Sequence, residues 1–446
     1  MTEQLPSNHG QPRASAAGQA AATTARLPIW YFVVAEVSFA VGMVLTPMAA
    51  RQALRFFYGP AILAVVHTFT LGFISSTIMG VMYRYLPGLA HRELPYPRLA
   101  WAQLWVYVVG AVGLPAHMWF GDWTGTWMTA AVVLASAVML GINLWPLLRP
   151  GFGRGAAETG MFLSIVCFVL AAFLGMLMAL EEVHGFLWGT VLSSIGSHFA
   201  FAVLGWVTLT ICAASYRFIP AFILPEVRLP KAALWQLWLL FAGAGGLGLA
   251  LLPGARLAVF LAVLVAAALA LYLGVMARLL MSRRMALGWP VGHAIAAMVW
   301  LVVGVALGMV LAVRSGVFVG SHARLVAAFG CAALFGWIAN FIMGMSYHLF
   351  PGFVARVRSA FGWPGATAAE LSPSRLRGPL MVGFNLGLAF LAAGMLYSAA
   401  PAVLGGALVM ALAAIIHAAT ALRTLSYAFR RALPPSARHP LRILPG

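Results

Sequence analysis

Charge is what this sequence has least of. Only 8% of its 446 residues are Asp, Glu, Lys or Arg, about a third of the share in a soluble domain. Side chains that sparse in charge cannot cover a water-facing surface, so a soluble globular fold is excluded. Acids are the scarcer sign, nine against 27 basic residues, for a formal net charge of +18. Lysine is nearly missing, with Lys231 alone among arginines. The three cysteines, Cys167, Cys212 and Cys331, all lie inside apolar runs and read as small buried residues, which excludes a disulfide framework. Alternating apolar and polar segments are absent too, which excludes an outer-membrane barrel.

Apolar length is what the chain has. Hydrophobic residues make up 63% of it, and its mean hydropathy is +0.95. Runs of about 20 apolar residues recur almost end to end, the length that crosses a hydrocarbon core of about 30 Å as a helix. The sequence predicts an all-α, polytopic membrane bundle of twelve spans, near 29–50, 58–83, 98–120, 125–148, 158–180, 187–216, 231–253, 256–280, 289–313, 323–350, 378–399 and 402–425. Residues 1–28 read as a disordered cytoplasmic tail, 29–425 as one membrane domain and 426–446 as a basic cytoplasmic tail. The first apolar run is of full span length with many more behind it, so it reads as a span and not a signal peptide.

The basic residues are distributed unevenly. Twenty-two lie in or beside the termini and the even-to-odd loops, and five in the other loops. By the positive-inside rule both termini face the cytoplasm of a cell inner membrane. Topology thus accounts for the positive charge. The expected partner is the lipid bilayer, and no nucleic acid is invoked.

Three spans end alike: "GFISSTIMGVMYRYLPGL" (Gly72–Leu89), "GWVTLTICAASYRFIPAF" (Gly205–Phe222) and "GWIANFIMGMSYHLFPGF" (Gly336–Phe353). In each, an aromatic follows the Gly, Tyr stands eleven residues after the Gly, and Pro four after the Tyr. Gly permits close helix approach, Tyr anchors at the interface and Pro is expected to end the helix. The recurrence every four spans predicts three four-helix pseudo-repeats.

Ionisable residues inside such spans are costly, and each is a functional candidate. His67 and His198 lie five and seven residues before their repeat glycines, on helices related by the repeat. A neutral imidazole ligates heme iron or copper; its alternative is a hydrogen bond to a carbonyl or hydroxyl across helices. His117 closes the third span. Glu36, in "VVAEVSFAVG", reads as part of a proton path, a gating carboxylate or a buried protonated acid. His293 and His417 lie nearer the cytoplasm and carry no assigned role.

The stretch "GSHFAFAVLGWVTLTICAASYRFIP" (Gly196–Pro220) resembles a helix of the heme-copper oxidase catalytic subunit, above all in its C-type oxidase and nitric oxide reductase branches. There the pattern is His-x-His, Gly-Trp and Tyr-Tyr-x-x-Pro. His198 matches the high-spin heme ligand, and Ala200 stands where the low-spin ligand would be. "HTFTLGFISSTIMGVMYRYLP" (His67–Pro87) resembles the helix of the first copper histidine. "GLPAHMWFGDW" (Gly113–Trp123) resembles the helix with two adjacent copper histidines, His117 matching one and Ala116 replacing the other. Counting spans gives another register, with His67 as low-spin heme ligand; Phe329 and Cys331 then fill the positions of the span-ten histidines.

The resemblance implies a divergent heme-copper-oxidase-like protein, redox-active or handling a diatomic gas such as dioxygen or nitric oxide. It implies heme b at His198 or at His198 and His67, copper at His67 and His117, and respiratory subunits or an electron donor as partners. Its ligand set is incomplete, so membrane oxidoreductase chemistry stays open. A transporter or assembly factor handling heme or copper, and a degenerate non-redox subunit, are the competing readings.

Overall fold

The computed structural model describes residues 16–186, 191–251, 257–314, 321–372 and 375–432. It contains twelve helices long and apolar enough to cross a membrane. They are α1 (Thr24–Ala53), α2 (Pro60–Leu89), α3 (Pro97–Phe120), α4 (Trp123–Leu148), α5 (Ala156–His184), α6 (Ser194–Ile223), α7 (Ala232–Ala250), α8 (Ala258–Met281), α9 (Trp289–Val313), α10 (Ser321–Ala360), α11 (Arg377–Tyr397) and α12 (Ala400–Ser426). No strand occurs among the described residues. The chain is helical from Ala16, ahead of the boundary expected at 29, through an Ala-rich stretch with high helix propensity. A water-free core leaves the backbone only its own partners, and helices supply them all within one segment.

The helices are not equal. In α2, α6 and α10, 67%, 83% and 78% of the most apolar window is buried within the protein, against 28–50% in the other nine. These three are the ones carrying the repeat, and they form the centre. The other helices surround them, and α12 packs against α1 to close the ring.

Each central helix loosens into a π-helix at its repeat glycine, over Thr68–Ser75, Ala200–Thr208 and Ala332–Ala339. All three segments end three residues after the glycine. The glycines themselves sit against the preceding helix. A Cβ added at Gly72 would lie 2.5 Å from Ser38 on α1, at Gly205 2.6 Å from Cys167 on α5, and at Gly336 2.6 Å from Trp300 on α9. The repeat is therefore a packing unit, in which an odd-numbered helix presses on the glycine of the next.

The residues after the glycine join one repeat to another. Trp206 Nε1 donates to Ser75 Oγ at 2.8 Å, and Trp337 Nε1 to Thr208 Oγ1 at 3.2 Å. Each indole stands one residue after its glycine, and each hydroxyl three after the glycine of the previous repeat. At the third interface the same positions hold Phe73 and Ala339, and both ends are apolar together. A buried indole N–H without an acceptor is costly, so changing both partners avoids an orphaned donor.

The repeat prolines depart from the expectation that they end their helices. Pro87, Pro220 and Pro351 all lie inside helix, and α10 continues for nine residues past Pro351 to Ala360. Beyond Pro351, Arg358 is fully buried and donates to the carbonyls of Pro364, Tyr427, Arg430 and Arg431, which ties the end of α10 to the chain after α12.

Two outcomes follow for stability. Trp206→Phe and Trp337→Phe each lose about 0.5–1.5 kcal/mol, and a Trp206→Phe/Ser75→Ala double-mutant cycle read by thermal unfolding in detergent gives a coupling of that size. Gly205→Ala loses about 1–3 kcal/mol by overpacking, and Cys167→Gly restores part of the loss in the same measurement because it removes the atoms the new methyl meets.

Candidate functional site

His67 and His198 come together. His67 is the last residue before the π segment of α2, and His198 lies two residues before that of α6. Their ring centroids are 6.2 Å apart, with the planes inclined by 30°. Both line one cavity of about 310 Å³, walled by α1, α2, α3, α5, α6, α10 and α11 and almost wholly apolar. Met118, Met178, Phe69 and Phe335 stand among its bulky walls, while Ala49, Ala53, Gly175 and Gly330 leave the room. A smaller cavity of about 70 Å³ also touches both rings and reaches Ser75, Thr126 and Trp206.

Hydrogen bonds fix the state of each imidazole. His67 Nδ1 lies 2.8 Å from Leu63 O, one turn back on its own helix. His198 Nδ1 lies 3.1 Å from Ala171 O on α5. A carbonyl only accepts, so Nδ1 carries the hydrogen in both rings and Nε2 keeps its lone pair. This is the tautomer of a neutral histidine ready to ligate a metal through Nε2, with the other nitrogen held in place. Gly175 makes the seat for the second ring, since a Cβ there would lie 2.9 Å from His198 Cε1.

His117 does not join them. Its Nδ1 lies 2.8 Å from Asp122 Oδ2, and its side chain is 40% exposed. Its neighbour Met118 lines the cavity instead. The cause is the tight α3–α4 connection, in which Gly121 takes a left-handed φ of 71° and Asp122 caps α4 by accepting from the Gly125 amide. That amide and the His117 ring hold the Asp122 carboxyl below its ordinary pKa. Among the described residues no three His, Cys, Asp or Glu side chains form a group able to hold a metal ion. The positions that match His67 and His198 in the third repeat carry Cys331 and Phe329; Cys331 lines the cavity, and Phe329 packs on Phe199 at 5.1 Å.

Glu36 lies elsewhere, fully buried on α1. His417 Nε2 on α12 is 4.0 Å from its Oε1. The ring of Tyr347 on α10 lies 4.9 Å from that of His417 and 5.8 Å from that of His293 on α9. Nothing in their sequence spacing groups these residues. Their common signal was a polar residue at the terminus-bearing end of an apolar span.

Comparison with known proteins supports the architecture. No known protein-family model matches the chain, and no curated protein sequence does. Among solved structures it is similar to a heme-copper terminal oxidase determined as a dimer by cryo-electron microscopy, with a TM-score of 0.58 and 13% identity over 95% of this chain and 87% of that one. The chain is thus a multi-pass membrane protein with a heme-copper-oxidase-like fold.

Proposed function

We propose that this protein binds one b-type heme through His67 and His198 and serves in electron transfer within the membrane. The observation that carries this reading is the facing pair of imidazoles, each with Nδ1 on a carbonyl and Nε2 free. Two imidazoles that shared one metal, at about 2.0 Å per metal–nitrogen bond, would have centroids roughly 6 Å apart, and those of His67 and His198 are 6.2 Å apart. An apolar cavity of about 310 Å³ beside the pair suits a flat hydrophobic group.

A heme held there supplies one-electron redox chemistry. The chain's own part is orientation and insulation. Leu63 O and Ala171 O fix the tautomers and aim the rings. Phe69 and Phe335, at 4.9 Å, pack edge to face and help exclude water. Copper at His67 and His117 has less support, because the Asp122 carboxylate already engages His117 outside the cavity lining. With both His67 and His198 engaged in holding the group, electron transfer would be favoured over diatomic-gas chemistry. Respiratory partner subunits, an electron donor and an inner-membrane location with cytoplasmic termini belong to the same proposal.

The test is optical. Protein purified from heme-supplied cells, or mixed with hemin, should show the Soret band and sharp reduced α-band of a six-coordinate low-spin heme at one heme per chain. Carbon monoxide should leave the reduced spectrum unchanged. His67→Ala and His198→Ala should each remove the low-spin spectrum. A protein that stays colourless after hemin addition overturns the reading.

A further inference from the structure

Glu36, His293, Tyr347 and His417 gather polar atoms that the histidine-pair cavity does not use. Glu36, His293 and His417 are fully buried, and Tyr347 is 8% exposed. They come from four helices, α1, α9, α10 and α12.

Counting hydrogens in the cluster shows what it lacks. Ser346 Oγ donates to Met343 O at 2.8 Å, so toward His417 Nε2, at 3.3 Å, it can only accept. His417 therefore carries its hydrogen on Nε2, and its Nδ1 is a bare lone pair without a partner. The amides around His293 are fixed in turn. Trp300 Nε1 donates to Asn385 Oδ1, which sets the Asn385 amide. Asn385 Nδ2 then donates to Asn340 Oδ1, the atom 3.1 Å from His293 Nδ1. His293 so carries its hydrogen on Nδ1, and its Nε2 is a second lone pair without a partner. Both carboxylate oxygens of Glu36 likewise have no hydrogen-bond partner among the described residues. Against these four acceptors stands the unpartnered hydroxyl of Tyr347. Inside an apolar bundle each unmet acceptor is costly, and a proton on a Glu36 oxygen or on either bare imidazole nitrogen turns one such acceptor into a donor.

We propose that Glu36, His293, Tyr347 and His417 form an intramembrane proton-binding site, distinct from the histidine pair. The proton adds to a Glu36 oxygen or to a bare imidazole nitrogen and is shared through the Tyr347 hydroxyl; no bond other than to hydrogen forms or breaks. The groups facing the site from the surrounding helices are few. α11 contributes Arg377, whose guanidinium lies 5.2 Å from the centre of the Tyr347 ring and whose Nη2 donates to Ser372 O. His348, next along α10, packs on Phe222 instead. On the side of α2 the site meets Phe39, edge-on to His417 at 6.3 Å and stacked on Phe73 at 4.1 Å. Phe39 also packs on Phe69, which lines the histidine-pair cavity, so an aromatic wall divides the two sites. Arg377, the first residue of α11, marks the side of the site toward the end of the bundle at which α1 begins and α12 ends.

The proposal does not rest on heme, and the experiment needs none. The full-length protein in lipid vesicles is titrated between about pH 5 and 9 while infrared difference spectra record the protonated-carboxyl C=O stretch. A band that responds to pH, disappears in Glu36→Gln and moves its midpoint by about one unit in His417→Gln supports the site. A carboxyl spectrum that Glu36→Gln leaves unchanged, or a Glu36 band that does not respond to pH, overturns it. A midpoint that follows sodium or zinc concentration at fixed pH also overturns it, since the occupant is then a metal cation. Should Glu36→Gln fail to fold, Tyr347→Phe decides, because it removes only an unpartnered hydroxyl: a displaced band supports the site, and an unmoved one overturns it.

Discussion

Close packing of each central helix on the odd-numbered helix that precedes it is the constraint on which the rest of this structure depends. Helices α2, α6 and α10 are buried within the protein along most of their length, where a missing backbone hydrogen bond is costly. Packing them tightly needs glycine where the neighbouring helix presses, and each repeat glycine has such a neighbour within 2.6 Å of its absent Cβ. A π turn inserts an extra residue and disturbs the carbonyl ladder. Side chains complete that ladder here: Ser75 Oγ bonds Thr70 O at 2.7 Å, and Tyr107 Oη bonds Leu71 O at 2.6 Å. The hydroxyls and indoles of the centre thus serve both the loosened backbone and the contact between repeats.

The same constraint explains what the sequence discloses and what it conceals. Span count follows from length and hydropathy, which the bilayer enforces directly, and the twelve expected spans are the twelve observed. The threefold repeat follows from glycine, tyrosine and proline at fixed offsets. The π segments stay hidden because they lie in runs such as "AALFGWIA", apolar on every side, where no periodicity marks a change of pitch. The prolines mislead for a related reason. In water Pro351 would end its helix, but here buried neighbours hold the chain on both sides of it, and Arg358 anchors the far end.

Candidate site residues are legible as types more than as partners. His67 and His198 stand out as imidazoles in apolar helices. Their meeting does not, since their offsets from the repeat glycines differ by two residues and the contact depends on how α2 and α6 rotate about the central axis. His117 has the right residue type in the right span, yet five residues on Asp122 captures it, a local pairing that wins because it forms within a single tight turn. Glu36 was visible alone. Its companions His293, Tyr347 and His417 lie more than 250 residues away in sequence, and only the closure of α12 onto α1 brings them near.

The histidine pair and the buried acid cluster together give the fold a consistent electrical logic. His67 and His198 line an apolar cavity, whereas His293 and His417 lie beside a phenol, and His417 beside a carboxyl group as well. An apolar surrounding polarises little and so screens a charge weakly, and at low dielectric a charge at one site is felt at the other across the aromatic wall. On the proposed reading, an electron taken up by a heme held at the pair and a proton taken up at the cluster would therefore favour one another. The wall of Phe39, Phe69 and Phe73 allows that influence to pass while giving the proton itself no hydrogen-bonded route. The two polar sites are thus separated by phenyl rings and share no hydrogen-bonding atom along that wall.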